Sequence, residues 1–316
     1  MRWTGIIAAV IVLASVPLWV GNTYYVNIVS QVLIWAILAL ALNVLVGYGG
    51  LVSLGHAGLF GIAAYAVTWL VAGGMGHLGA MLAALVVALV ASGIFAVLSL
   101  RATGIGFLMI TLALGQILWG LAYRWIGLTG GDNGISMPSR PAPFGLSLAG
   151  ATPFYLITLL VFLAARAAMA VFERSPFGAS LKGTRDQPRR MTALGFNVWL
   201  IRFLAFLFSG FWSGVAGLLY GYYNQFVSPQ VLALTTSAEA LLMVISGGIG
   251  TLLGPIAGAA LVVVMKNVAS AYIERWNFVL GAIFVAIVIF MPEGLVPGTL
   301  RIGGRAWTSL RGGAGR

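Results

Sequence analysis

The chain has 316 residues, 61% of them hydrophobic and only 7% charged, and its 17 lysines and arginines against six acids leave a net charge of +11. That is too little polar surface to clothe a water-soluble globule, so the composition indicates an integral membrane protein, in which a basic excess records topology and requires no nucleic acid. With no cysteine in the chain, disulfides, thiolate metal sites and cysteine nucleophiles are excluded as well.

Apolar runs near the ~20 residues needed to cross a bilayer predict spans at about 5–21, 24–45, 51–72, 78–100, 103–122, 153–172 and 201–223. The first lies behind Arg2 with no convincing small-x-small cleavage site after it, so it is read as a retained span rather than a signal peptide. The third contains "LVSLGHAGLFGIAAYAV" (51–67), where His56, one of only two histidines, is set among Gly55, Gly58 and Gly61. Nothing supports a metal site there, because His77 falls on the opposite side and no cysteine exists. A serine–histidine pair with Ser53 lacks an orienting acid and an oxyanion site. Two readings stay open: a neutral histidine hydrogen-bonded to a neighbouring span that the glycines admit closely, or an irregular segment in which Ser53 and His56 line or gate a path. Asn27, Gln31, Asn43, Thr111 and Gln116 line such a path or, as each taken singly favours, bond between helices.

Two hydrophilic interruptions follow. The outer one, at 123–153, is rich in Gly, Pro, Ser and Asn, and reads as a solvated connecting loop, with docking of an external partner as the alternative. The inner one, "FERSPFGASLKGTRDQPRRMTALGFNVWLIR" (172–202), predicts two short helices. Ser175 caps the first with Pro176 in its opening turn; Asp186 starts the second, with Pro188 in its first turn and Gly195 as a left-handed stop. Such an elbow, with Phe177 as an exposed apolar anchor and Lys182 and Arg185 as steering charges at its rim, suits the groove of a soluble motor protein. The bland alternative is a merely basic juxtamembrane loop.

Further on, Gly210/Gly214 and Gly217/Gly221 predict close packing of the 201–223 span. The cluster Gly247, Gly248, Gly250, Gly254 and Pro255 divides the next apolar stretch into short spans at about 237–250 and 254–270, before a last one at about 276–292, which makes about ten spans. Glu239, the only acid within a span, is expected to cap its helix start behind Thr235 and Thr236, with a place on the path as the alternative. With the N-terminus inside, 13 of the 17 cations fall on the cytoplasmic side and only Arg124, Arg140, Lys266 and Arg275 outside. Both termini are then cytoplasmic. No Gly-Lys pair exists for a nucleotide-binding loop, and one intramembrane acid is a poor basis for an ion-coupled carrier. No catalytic residue, cofactor or metal is expected.

Three stretches, "ALNVLVGYGGLVSLGHAGLFGIAAYAV" (41–67), "ERSPFGASLKGTRDQPRRMTALGFNV" (173–198) and "SPQVLALTTSAEALLMVISGGIGTLLGPIAGAAL" (228–261), together resemble the membrane permease subunit of branched-chain amino-acid ABC importers, a likeness running from about residue 24 to 297. It implies one all-α transmembrane permease domain over 1–316, some of its helices short or discontinuous, with a cytoplasmic coupling loop at 173–200, an external loop at 123–152 and a basic cytoplasmic tail at 298–316. It also implies a bacterial inner (plasma) membrane, a second homologous permease, two ATP-binding subunits and an external solute-binding protein. By the same resemblance Glu173, Arg174, Ser175, Pro176, Phe177, Gly178, Lys182, Arg185, Arg189 and Gly195 belong to the segment that meets the ATPases. Asn43, Ser53, His56, Gln116 and Glu239 are the path or gate candidates. The family's loop is often richer in acids where this chain has Gln187, Pro188, Arg189 and Arg190, which leaves the charge partners open. Leucine, isoleucine, valine or another small amide or carboxylate are all open as substrate; a sugar-type permease or an ion-coupled secondary transporter is the alternative.

Overall fold

A computed structural model describes residues 22–141, 150–272, 276–291, 293–299 and 301, together with residues 13, 15, 17 and 19, which are helical. Most of the expected 5–21 span and the tail beyond 301 lie outside the described residues. The described chain is almost entirely helical. Helix α1 (Thr23–Asn43) opens on Asn22, whose side chain accepts from the Tyr24 amide, and runs on into a π-helical turn at Val44–Tyr48. From Leu33 to Leu42 it is apolar on every face, as a helix segment buried on all sides must be, and every residue from Leu33 to Tyr48 is buried. Around it stand α6 (Ala151–Arg174), α9 (Val198–Asn224), α10 (Leu234–Gly247) and α11 (Gly254–Tyr272). Helices α2 (His56–Ala72) and α3 (His77–Ser99) pack on α9, α4 (Ile105–Arg124) lies on α2 and α3, and α12 (Trp276–Phe290) rests on α11.

Small residues set these distances. On α9, a Cβ at Gly210 would strike Ser92 and one at Gly214 the methyl of Ala88, both on α3. A Cβ at Gly217 would overlap the Phe60 carbonyl, and Gly221 faces Val67, both on α2. One helix thus closes on two neighbours through the two glycine pairs. Gly217→Val is expected to wedge α9 from α2 and cost about 1–3 kcal/mol or more, because its obstacle is backbone and cannot rotate away. Thermal unfolding of the detergent-solubilised protein measures it; an unchanged midpoint would show that the two helices separate freely.

Among the described residues five helices are long and apolar enough to cross a membrane: α1 with its π-turn, α3, α4, α6 and α9. His56–Ala72, Leu234–Gly247 and Gly254–Asn267 are shorter apolar helices. The expected 51–72 span is helical only from His56, and residues 49–55 pass through the protein as non-helical chain. The expected division of 237–270 is present, with Gly248–Leu253 as the break.

At the far end of α9 the described part of the 123–152 segment that leads up to residue 141 is fastened, not merely solvated. After the short helix α5 (Ile126–Thr129), strand β1 (Ile135–Ser136) pairs antiparallel with β2 (Phe226–Val227). Arg140 donates from Nε to the Tyr222 carbonyl (3.0 Å) and from Nη2 to that of Tyr223 (2.8 Å), closing the last turn of α9, and its guanidinium lies 4.9 Å from the Phe154 ring centre. Since α9 has 27 residues and so runs about 40 Å, this strap and the 172–202 elbow lie at opposite ends of the bundle.

Candidate translocation site and coupling elbow

The chain enters α2 through a break that must satisfy its own polar groups. The Leu54 amide donates to Thr111 Oγ1 on α4 (3.2 Å), that of Gly55 to Ser53 Oγ (3.3 Å), and that of Ala57, in the first turn of α2, to Ser237 Oγ on α10 (3.2 Å). Gly55 lets this happen: a Cβ there would meet the Thr111 carbonyl at 2.7 Å. His56 is fully buried, with Nδ1 2.9 Å from Ser53 Oγ and Nε2 2.9 Å from Ser209 Oγ, near the middle of α9. Ser209 donates its own hydrogen to the Ala41 carbonyl, so it accepts from Nε2–H, and Nδ1 accepts from Ser53. The result is a neutral imidazole with both nitrogens used, joining the start of α2 to α9 and α1.

Just below, two breaks in the helices meet. Asn43 donates from Nδ2 to the Thr251 carbonyl (3.0 Å) and accepts at Oδ1 from the Gly250 amide (2.9 Å), so one side chain at the end of α1 holds the loop between α10 and α11. Gly47 makes the approach possible, because a Cβ there would lie 2.6 Å from the Gly250 nitrogen.

The elbow closes on the same place. Helix α7 (Pro176–Asp186) begins as expected, with Ser175 Oγ accepting from the Gly178 amide at 3.1 Å, and α8 (Pro188–Ala193) stops in a Schellman motif. Gly195, at φ +87°, donates to Thr192, and Phe196 to the Met191 carbonyl. Asp186 does not cap α8: Gln187 holds that position without a side-chain bond, and Asp186 pairs with Arg185 Nε at 2.9 Å. The inner face differs from expectation. Phe177 is half-buried, its ring 5.4 Å from Phe172, which stacks on Phe208 of α9 at 4.5 Å. Lys182 pairs with Glu173 (3.3 Å) and sits 4.8 Å over the Tyr48 ring, and Arg185 Nη1 donates to the Gly47 carbonyl at 2.6 Å. Neither cation is a free rim charge, because the π-turn of α1 reaches down to meet both, and Phe177 is half-buried against Phe172 instead of fully exposed. Arg185 still exposes 43% of its side chain, and the elbow also exposes Arg174, Arg189, Arg190, Leu194 and Phe196.

Toward the strapped end of the bundle, Glu239 caps nothing, since α10 already starts at Leu234 with Ala233 ahead of it. Its carboxylate oxygens lie 3.3 and 3.2 Å from Lys266 Nζ on α11, a partner between helices that the cation count did not foresee. The pair borders a cavity of about 190 Å³. Gln31 on α1 accepts from Asn267 of α11 (3.1 Å), an interhelical bond of the kind expected.

Against this geometry, known proteins give a consistent answer. A family model described as "Branched-chain amino acid transport system / permease component" matches residues 24–288. The chain belongs to that permease family. It is 30% identical to the high-affinity branched-chain amino acid transport system permease protein LivM of Salmonella typhimurium, over 87% of this chain and 70% of that one. It is 29% identical to LivM of Escherichia coli, over 98% and 77%, and 22% identical to LivH, another such permease of Salmonella typhimurium, over 83% and 91%. No solved structure matches. The chain is thus an ABC-type transport permease and a multi-pass membrane protein.

Of the path candidates, the permease brings Ser53 and His56 into one hydrogen-bonded chain and puts Asn43 a short way along α1 from it, beside the elbow. Gln116 stands half-buried next to Gly115, which packs on Gly55. Glu239 forms a separate site. Sequence reasoning missed Ser209, Lys266, Leu194 and Phe196. A lysine in the middle of an apolar run was the available signal for one of them, since such a charge calls for a partner.

Proposed function

We propose that the chain is one permease subunit of an ATP-driven importer for branched-chain amino acids or related small amides or carboxylates. In this reading it crosses a bacterial inner membrane about ten times with both termini cytoplasmic. It pairs with a second homologous permease, takes solute from an external binding protein and draws work from two ATP-binding subunits. The observation that carries the reading is the elbow. Its outer side offers Leu194, Phe196, Arg189 and Arg190 to a partner, while Arg185 ties its inner side to the broken end of α1. A surface of that kind can pass a push from a motor to a path.

The deciding experiment is uptake of labelled leucine into liposomes holding the complete complex, binding protein and ATP. Accumulation without ATP would overturn the importer and establish an ion-coupled carrier, the reading favoured by the intramembrane Glu239–Lys266 pair. A reporter fused after Arg316 should be active only in the cytoplasm; activity only outside would break the topology.

His56 acts here as a neutral tie between helices. His56→Gln, which keeps a donor and an acceptor, is expected to retain assembly and most uptake. His56→Leu should lose about 1–3 kcal/mol of stability by stranding the Ser53 hydroxyl. Thermal unfolding and uptake together read the two roles apart: a His56→Gln protein that assembles normally but transports nothing would make the imidazole a gate.

A further inference from the structure

We infer that the Glu239–Lys266 cavity is a binding site for the zwitterionic head of an α-amino acid, with Glu239 taking the ammonium, Lys266 the carboxylate, and an aromatic wall taking the aliphatic side chain. The inference rests on the importer reading and adds to it the group that is recognised.

An acid and a lysine within the helical bundle are costly in lipid, and such pairs are kept for function. This pair is loosely made: 3.2 and 3.3 Å exceed the about 2.7–2.9 Å of a tight charge-assisted bond. Both heads border open space, with side-chain exposures of 40% for Lys266 and 17% for Glu239. A ligand bearing one positive and one negative charge therefore gives each residue a closer counter-ion and leaves the net charge of the site at zero. A ligand with one charge would leave the site with an unbalanced charge, and an uncharged sugar would have to break the pair for weaker bonds.

Part of the remaining lining matches the other half of such a molecule. Trp35, Phe60 and Tyr220 form a mutually packed trio, with ring centres 5.5, 5.1 and 6.3 Å apart, that borders the cavity, and Ser228, Gln230, Thr235 and Thr236 add polar groups to its wall. At about 190 Å³ the space is below the ~300–1,000 Å³ of clefts for drug-sized ligands, so it selects a small solute. Its position suits capture. Tyr220 lies one turn from the strapped outer end of α9, and Ser237, two residues before Glu239, holds the first turn of α2 through the Ala57 amide. A head group that pulls on α10 therefore acts on the His56 break.

The test is saturable binding of labelled L-leucine to the complete complex in nanodiscs. Its competitors are leucinamide, which keeps only the ammonium, and 4-methylpentanoate, which keeps only the carboxylate. Each should compete about tenfold or more weakly than leucine, and Glu239→Gln and Lys266→Gln should each weaken leucine binding to a similar extent. The exchange Glu239→Lys with Lys266→Glu rebuilds the ion pair between the helices and should not restore binding, because the aromatic wall fixes which way round the head group lies. Restoration by the exchange would make the pair a strap between α10 and α11 and overturn the site, as would equal competition by either single-charge analogue. If the variants fail to assemble, competition on the unaltered complex decides. ATP-driven uptake is read separately. Uptake that ignores both neutralising variants sinks this site and leaves the importer, whereas saturable zwitterion binding without ATP-driven uptake sinks the importer and leaves the site.

Discussion

Replacing Leu194 and Phe196 together by alanine is expected to strip the ATP-binding subunits from the purified complex and abolish ATP-driven uptake, with membrane insertion unchanged. Leu194 is 68% exposed and Phe196 44%, on either side of a glycine whose left-handed backbone turns the chain out of α8. The Schellman bonds that shape this corner are made by backbone alone, so the substitutions leave it intact. Truncating an apolar anchor at the centre of an interface costs about 2 kcal/mol or more; two such losses approach about 4 kcal/mol, near a thousandfold in affinity. Phe177→Ala should behave differently. Its ring packs on Phe172 and through it on Phe208, so its loss loosens α7 from α6 and α9 while both anchors stay in place. The expected outcome is a lower unfolding temperature with ATPases still bound. Co-purification followed by hydrolysis stimulated by loaded binding protein distinguishes the two. A double variant that keeps its full complement of ATPases would move the docking surface elsewhere.

What could be read from the sequence follows the range of the interaction. The start at Ser175–Pro176 and the stop at Gly195 were legible because a cap is chemistry within four residues of chain, and both are present. The break among Gly247–Pro255 was legible for the same reason. The face of α7 was not. Whether Arg185 bonds inward depends on a π-turn some 130 residues earlier, whose Gly47 carbonyl lies 138 positions away, and Phe177 is half-buried through Phe172, which stacks on Phe208 of α9. His56 was conspicuous, but its second partner, Ser209, is 153 positions away and sits in an ordinary-looking apolar helix. The partner of Lys266 was not legible, because counting cations by side says which face a charge falls on and not what it meets. That partner lies 27 positions earlier across a helical break, and no periodicity connects the two. The resemblance over about residues 24 to 297, which the family model matches over 24–288, joined the spans read from apolar runs into one kind of protein.

Arg185→Gln should give the opposite defect to loss of the anchors: ATPases retained, basal hydrolysis continuing, and uptake and binding-protein stimulation lost by about tenfold or more. The guanidinium is the only side chain of α7 seen among the described residues to donate directly to the broken end of α1, at the Gly47 carbonyl, and its methylenes fill the space beside Gly50. From Gly47 the connection continues through Asn43 to Gly250 and Thr251, so displacement of the elbow moves two helix breaks together. Hydrogen bonds to charged groups contribute about 1.5–3 kcal/mol, enough to bias a two-state equilibrium roughly ten- to hundredfold. Glutamine is too short to restore the bond, while Leu194 and Phe196 remain free to hold the motor. Asn43→Ala cuts the same connection one step further along and should give the same phenotype. Because both variants break one path, their combination should be no worse than either alone, whereas independent defects would add. Salt sets this apart from a rim charge: a steering residue loses its effect as ionic strength rises, but the Arg185 defect should persist at high salt, since its partner is a carbonyl packed inside the protein. Full stimulation in Arg185→Gln, or an additive double variant, would show that the elbow reaches the membrane helices by another route.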